Sequence, residues 1–249
     1  MLKQTVLTPI LIMGTVSVVL AISSTDSLRT IVSDTSQPHE VRLQALHDLT
    51  LISSNNSMHD SAAYYSTQQL ELARTSGDKA WMADALFQKG MTARTTGEYD
   101  RAIVHFTEAL KLYDEIADLS GMGRCNHMIG RIHYDLRDFE TPFSFYEKCL
   151  NQLEKAQDSI GLAYYYKDMG LLYHDVGNMK KAVQFNHISY SIFMQQGDKF
   201  GAAHSLNNLG WFYTLHSRDL DSALFFQKRS LTLNKEIGNI ESIAGCLSN

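Results

Sequence analysis

The sequence has little of what stops helices or marks chemistry. Only three prolines occur in 249 residues, which leaves long helices uninterrupted. The three cysteines, Cys125, Cys149 and Cys246, are odd in number and widely spaced, and so do not form a disulfide framework. Cys125 and Cys149 fall where Ala85 and Ala109 sit 40 residues earlier, and both read as small buried residues. No Lys/Arg run suggests an anionic lipid surface. Lys and Arg number 22 against 27 Asp and Glu, for a net charge of −5, and the pI is near 6.0. That balance argues against a nucleic-acid binder, which usually shows a basic face.

Catalytic signatures are missing too. There is no Gly-x-Ser-x-Gly elbow, Walker phosphate loop, His-Glu-x-x-His or Cys-x-x-Cys. His127 and His133 share a helix with Asp135, but a spacing of six puts the two imidazoles on different faces. No catalytic, cofactor-binding or metal-binding residue is expected, and no cofactor. Pairs such as Asp114-Glu115 read as a solvated helix face.

What the chain does have is a period. Gly90, Gly130, Gly170 and Gly210 stand 40 residues apart. Gly97 and Gly177 keep the step, as do Asp78, Asp118, Asp158 and Asp198, and the series Ala102, Pro142, Ala182. A fixed period of this size marks a solenoid, in which each unit buries its apolar face by stacking on its neighbour. Each unit reads as two helices. The pattern predicts one over Lys79 to about Thr95 and another over about Tyr99 to Ile116, separated by Thr96-Gly97-Glu98. Ala102, Ile103, Phe106, Ala109, Leu110 and Tyr113 form one apolar stripe, repeated by Phe143, Tyr146, Cys149, Leu150 and Leu153. Asp residues at the joints are expected to cap the incoming helices, and glycines to close the outgoing ones. A mid-helix glycine costs about 1 kcal/mol relative to alanine. Four in one register require a compensating close approach of the paired helices.

Residues 1–23 differ from the rest. Met1-Leu2-Lys3 gives a short positive start, and Val6 to Ile22 carries no charge. Ala21-Ile22-Ser23 fits the small-x-small pattern of a signal-peptidase site, and an uncleaved N-terminal anchor is the alternative. Either places the remainder outside the cytoplasm. Residues 24–37 read as a polar lead-in. The array follows over 38–249, in units of about 38–77, 78–117, 118–157, 158–197 and 198–238, with a partial unit at 239–249.

These features resemble the tetratricopeptide repeat. Leu86/Gly90/Ala102/Ala109, Leu209/Gly210/Tyr213 and Gly170/Tyr173/Ala182 match that family's pattern. The usual period is 34, and 40 resembles its longer-helix variety. Pro142 replaces an alanine, Asn186 and Gln227 replace an aromatic, Thr50 stands in place of a glycine, and a one-residue insertion falls near Arg218. The resemblance implies an all-α, right-handed superhelical solenoid of about five repeats plus a truncated helix.

It also implies a groove lined by the first helix of each repeat. The positions carried over are Arg124, His127, Arg131, Tyr134, Tyr164, Lys167, His174, His204, Asn207 and Trp211. They form an aromatic and basic stripe suited to a peptide or acidic segment of a partner protein. Only Lys167 and Asn207 approach the family's peptide-carboxylate clamp, which is not expected here. The export signal and an array that stops short of its next glycine resemble the periplasmic sensor region of bacterial signalling proteins, where a histidine kinase, nucleotide cyclase or transcription-regulator output follows. A stand-alone exported adaptor organising envelope complexes is the rival reading. An enzyme or metal protein is a distant third.

Overall fold

A computed structural model describes residues 25–217 and 219–238. All described elements are helical. They are α1 (Thr25–Ser33), α2 (His39–Asn55), α3 (His59–Ser76), α4 (Lys79–Thr95), α5 (Tyr99–Glu115), α6 (Leu119–Asp135), α7 (Thr141–Ala156), α8 (Ser159–Asp175), α9 (Met179–Gln195), α10 (Lys199–Phe212) and α11 (Leu220–Glu236). A π turn over Tyr213–Ser217 follows α10. From α2 onward the helices alternate as first and second members of helix-turn-helix pairs. The signal or anchor reading for residues 1–23, the partial unit at 239–249 and Cys246 lie outside the described residues.

The chain divides into two compact units, Met1–Thr92 and Ala93–Asn249. In the first, α2 packs on α3 and α1 packs on α2. The stretch read as a polar lead-in therefore contains a packed helix. Its sequence is polar, but Leu28 is buried against Ala45 and Leu49, with Ile31, Val32, Ile52 and Tyr65 closing around them. Thr50, standing at the glycine register, is fully buried and donates its hydroxyl to the Leu46 carbonyl at 2.8 Å.

In the second unit each helix packs on its neighbours in chain order, from α5 through α11. The predicted stripes face inward. Ala102, Phe106, Ala109 and Tyr113 are buried, as are Tyr146, Cys149 and Leu153. Asp118, Asp158 and Asp198 accept from the amides of Gly121, Gly161 and Gly201 at 2.8–2.9 Å, closing the open N-termini of α6, α8 and α10. At Gly97 and Gly177 the chain turns in the left-handed region, with φ of 80° and 81°, where a Cβ is unfavourable.

The glycine register has the cause its cost demands. A Cβ at Gly130 would lie 2.7 Å from Cε1 of Tyr146, one at Gly170 would meet the Asn186 amide, and one at Gly210 would lie 2.7 Å from Cγ of Gln227. The side chain from the second helix fills the space that the glycine leaves. The extra residue near position 218 is absorbed by the π turn, since a π turn holds one residue more than the α-helical turn it replaces.

Candidate ligand-binding face

The first helices of the second unit, α6, α8 and α10, contact one another directly as well as through the second helices between them. Side chains at equivalent heights therefore meet across repeats, and the predicted stripe is built from them. Its chemistry differs from a row of free cations. Asp168 on α8 is buried at 4% side-chain exposure. Arg131 on α6 donates to its Oδ1 at 2.8 Å, Lys167 lies 3.6 Å from the same oxygen, and Nε2 of His127 lies 3.0 Å from Oδ2. Burial alone would raise the Asp168 pKa, but Arg131, Lys167 and His127 outweigh it and hold the carboxyl well below its usual range. Asp168 in turn raises Arg131 further.

The network continues to the preceding first helix. Asp135 accepts from Arg131 at 3.0 Å on one oxygen and from Arg94 of α4 at 2.9 Å on the other. Tyr134 donates its hydroxyl to Oδ2 of Asp175 at 2.7 Å, and Nδ1 of His174 sits 2.8 Å from Oδ1. Burial, then the Asp175 contact, raises the Tyr134 phenol well above its ordinary value. Buried ion pairs of this kind add little net stability but are costly to break, and they fix how neighbouring elements sit.

The ten predicted residues thus separate. His127 is buried against the Tyr146 ring at 5.6 Å and contributes to packing, so it is not available to a ligand. Arg131 and Tyr134 are half-buried and already engaged, with the Arg131 guanidinium 5.2 Å above the Tyr134 ring. Lys167 lies 4.9 Å over the Tyr164 ring. The Tyr164 hydroxyl is 3.5 Å from Asp198, and burial pushes its pKa up to about 12. His174 stacks on Phe212 at 4.8 Å and lies tilted against Trp211 at 4.2 Å. Trp211 itself remains 39% exposed. His204 and Asn207 are half-buried on α10, and Arg124 lies 6.0 Å from the Tyr113 ring. What faces solvent is an aromatic row with buried counter-charges beneath it.

Sequence reasoning missed the acidic members. Asp135 and Asp175 keep the 40-residue step and were legible in principle. Asp168 stands in a register otherwise held by Gln88, Met128 and Asn208, and nothing in the pattern points to its burial.

Burial also pushes the thiol of Cys125 up to about 12 and that of Cys149 higher still, as inert core cysteines. Among the described residues no group of three or more His, Cys, Asp or Glu side chains could hold a metal. Likewise none of the described helices is long and apolar enough to cross a membrane.

Residues 83–116 match the tetratricopeptide repeat family profile, which covers the end of α4's first turn through α5 and the joint after it. That stretch carries a tetratricopeptide repeat signature. The photosystem I assembly protein Ycf3 of Prochlorococcus marinus (strain NATL1A) is 30% identical over 93 residues, covering 37% of this chain and 49% of that protein. The chain thus spans about half the length of the curated relatives it matches. Two solved structures share the fold. A Rap protein complexed with Competence and Sporulation Factor superposes with a TM-score of 0.74 at 14% identity, over 94% of this chain and 71% of that one. NprR in complex with its cognate peptide NprX gives 0.71 at 14% identity, over 93% and 70%. At these identities the likeness is one of fold.

Proposed function

We propose that this chain is a peptide- or protein-binding scaffold that acts as the extracytoplasmic sensor portion of a bacterial signal-transduction protein. The face shared by α6, α8 and α10 is its ligand site. One observation carries the reading: the Trp211 indole is 39% exposed and packs 4.2 Å from the His174 ring, while the adjacent first helix α8 carries the Tyr164–Lys167 pair nearer its start. A pre-ordered aromatic anchor loses little entropy on binding, which is how hot-spot residues gain their energy. The likeness in fold to a Rap protein and to NprR, each solved with a factor or peptide bound, supports the choice of ligand class. The uncharged run from Val6 to Ile22 supports placement outside the cytoplasm, with or without retention at the membrane.

Panning a random dodecapeptide library against the full chain tests the scaffold reading. Selected peptides should lose about thirtyfold in affinity to Trp211→Ala. Failure to select any binder, or binders indifferent to both Trp211→Ala and Lys167→Ala, contradicts it. Fusing alkaline phosphatase after Asn249 in a bacterial host tests the location. The fusion is active if the repeats are exported and inactive if they are not.

A stand-alone adaptor is the second reading, favoured by the 30% identity to a protein named for assembling a complex. It predicts stable capture of a folded partner rather than a short peptide.

A further inference from the structure

A cleft of about 440 Å³ opens beside the aromatic row, lined by Arg94, Thr95, Tyr99, Tyr134, Asp135 and Arg137. It lies where the α4–α5 turn faces the C-terminal end of α6, and only Tyr134 of its lining belongs to the predicted stripe.

Its charges do not cancel. Asp135 has each carboxylate oxygen committed, one to Arg94 and one to Arg131. Arg137 therefore has only Asp175 within reach, at 3.7 Å, and that carboxylate already accepts from Tyr134 on the same oxygen. The Arg137 side chain is 77% exposed. Arg94 is bound through one terminal nitrogen, while its buried Nε has no hydrogen-bond partner. Two arginines, Arg94 and Arg137, and one aspartate, Asp135, line the cleft, and that aspartate is shared with Arg131.

Arg137 occupies the turn register held by Gly97 and Gly177, and it adopts the same left-handed conformation, with φ of 65°. A side-chain-bearing residue in this region costs of order 1 kcal/mol. The turn holds it there through the Arg137 amide to the Tyr134 carbonyl at 2.9 Å and the Asp138 amide to the His133 carbonyl at 3.0 Å. Ser57, Ala117 and Gln157 take the same conformation at other helix ends, so what sets Arg137 apart is its exposed guanidinium at the rim of the cleft.

We propose that this cleft is an acidic-side-chain subsite: it takes a Glu or Asp carboxylate of the bound polypeptide between Arg94 and Arg137, with the Tyr99 ring as a wall. Guanidinium groups suit this role because their planar donors match both carboxylate oxygens. The proposal deepens the scaffold reading and rests on it. It adds that the ligand carries an acidic residue beyond the segment lying on Trp211.

The test uses a fluorescein-labelled octaglutamate peptide with blocked ends, titrated into the full chain at low ionic strength and followed by anisotropy. Octaglutamine is the neutral control. Octaglutamate should bind at least tenfold more tightly than octaglutamine. Arg137→Ala should weaken it about tenfold, and Arg137→Lys should recover part of the loss. Arg137 is exposed, so its removal should leave the far-ultraviolet circular dichroism unchanged. Arg94→Gln gives a second variant that keeps a donor on the buried stem. Equal affinity for both peptides, or no effect of Arg137→Ala, overturns the subsite. Displacement of octaglutamate by inorganic phosphate at equal charge concentration also overturns it, by showing a free-anion site. Library peptides that bind and depend on Trp211 but ignore Arg137→Ala would sink the subsite alone. Loss of those peptides altogether is what would sink the scaffold reading.

Discussion

Tyr134 on α6 donates a hydrogen bond from its hydroxyl to Asp175 on α8, 2.7 Å away, and so ties the first helices of two successive repeats together. The residue looked like a ligand anchor in the sequence, but its polar end is used inside the array. Trp211 is the cleaner probe of binding. It is 39% exposed, and its contact with His174 is aromatic rather than a hydrogen bond. Trp211→Ala should weaken a selected peptide by about 2 kcal/mol, the usual threshold of a hot spot, with little change in unfolding midpoint. Tyr134→Phe should lower stability by about 1 kcal/mol. Titration calorimetry and urea unfolding of both variants separate the roles. A Tyr134→Phe protein of full stability and impaired binding would reverse the assignment.

Asp168 should be the residue least tolerant of replacement. Asp168→Ala leaves Arg131 and Lys167 facing each other across a buried space without their common counter-ion. Removing one partner of a buried pair costs about 3–5 kcal/mol. Urea unfolding should show that loss, and a variant within about 1 kcal/mol of the parent would mean the network is solvated and weak.

The glycine register and the residue beneath it make opposite predictions. Gly130→Ala adds a methyl 2.7 Å from the Tyr146 ring, and overpacking of this kind costs about 1–3 kcal/mol despite the better helix propensity of alanine. Tyr146 is itself 1% exposed, and its hydroxyl has no hydrogen-bond partner. Tyr146→Phe removes an unsatisfied polar atom and should be neutral or stabilising. Thermal unfolding of the two single variants decides the matter. A destabilised Tyr146→Phe would show that the hydroxyl has a partner in solution.

Burial lowers the His204 pKa below 6.5, helped by the nearby Lys167 and opposed by Asp168 and Asp198. A group with a depressed folded pKa contributes stability above its unfolded pKa and loses it as pH falls through the folded value. The His204 contribution is therefore present at pH 7 and fades below about 6.5. Unfolding midpoints measured at pH 7 and pH 5 should fall more for the parent chain than for His204→Gln. Identical slopes would place the pH dependence elsewhere.

Most of the fold was legible because its determinants are periodic. The capping aspartates, the left-handed glycines and the apolar stripe each recur at one step, so one repeat predicts the next. The one-residue insertion near position 218 was visible as a break in register, though only the structure gives the π turn that absorbs it. The helix α1 was not legible, because a single buried leucine docks an otherwise polar segment. The site was half legible. Position named Tyr164, Lys167, His174 and Trp211, but burial and pairing are decided across helices some 40 residues apart. Asp168 became central, and His127 was lost to the core, for that reason. Arg137 was hidden in a turn where the pattern expects glycine.

The central claim is that α6, α8 and α10 present the ligand face. Hydrogen–deuterium exchange of the full chain, with and without a saturating library-selected dodecapeptide, tests it most directly. The account predicts slower exchange in 119–135, 159–175 and 199–217, with the second helices α7, α9 and α11 unchanged. Protection confined to those second helices would contradict it.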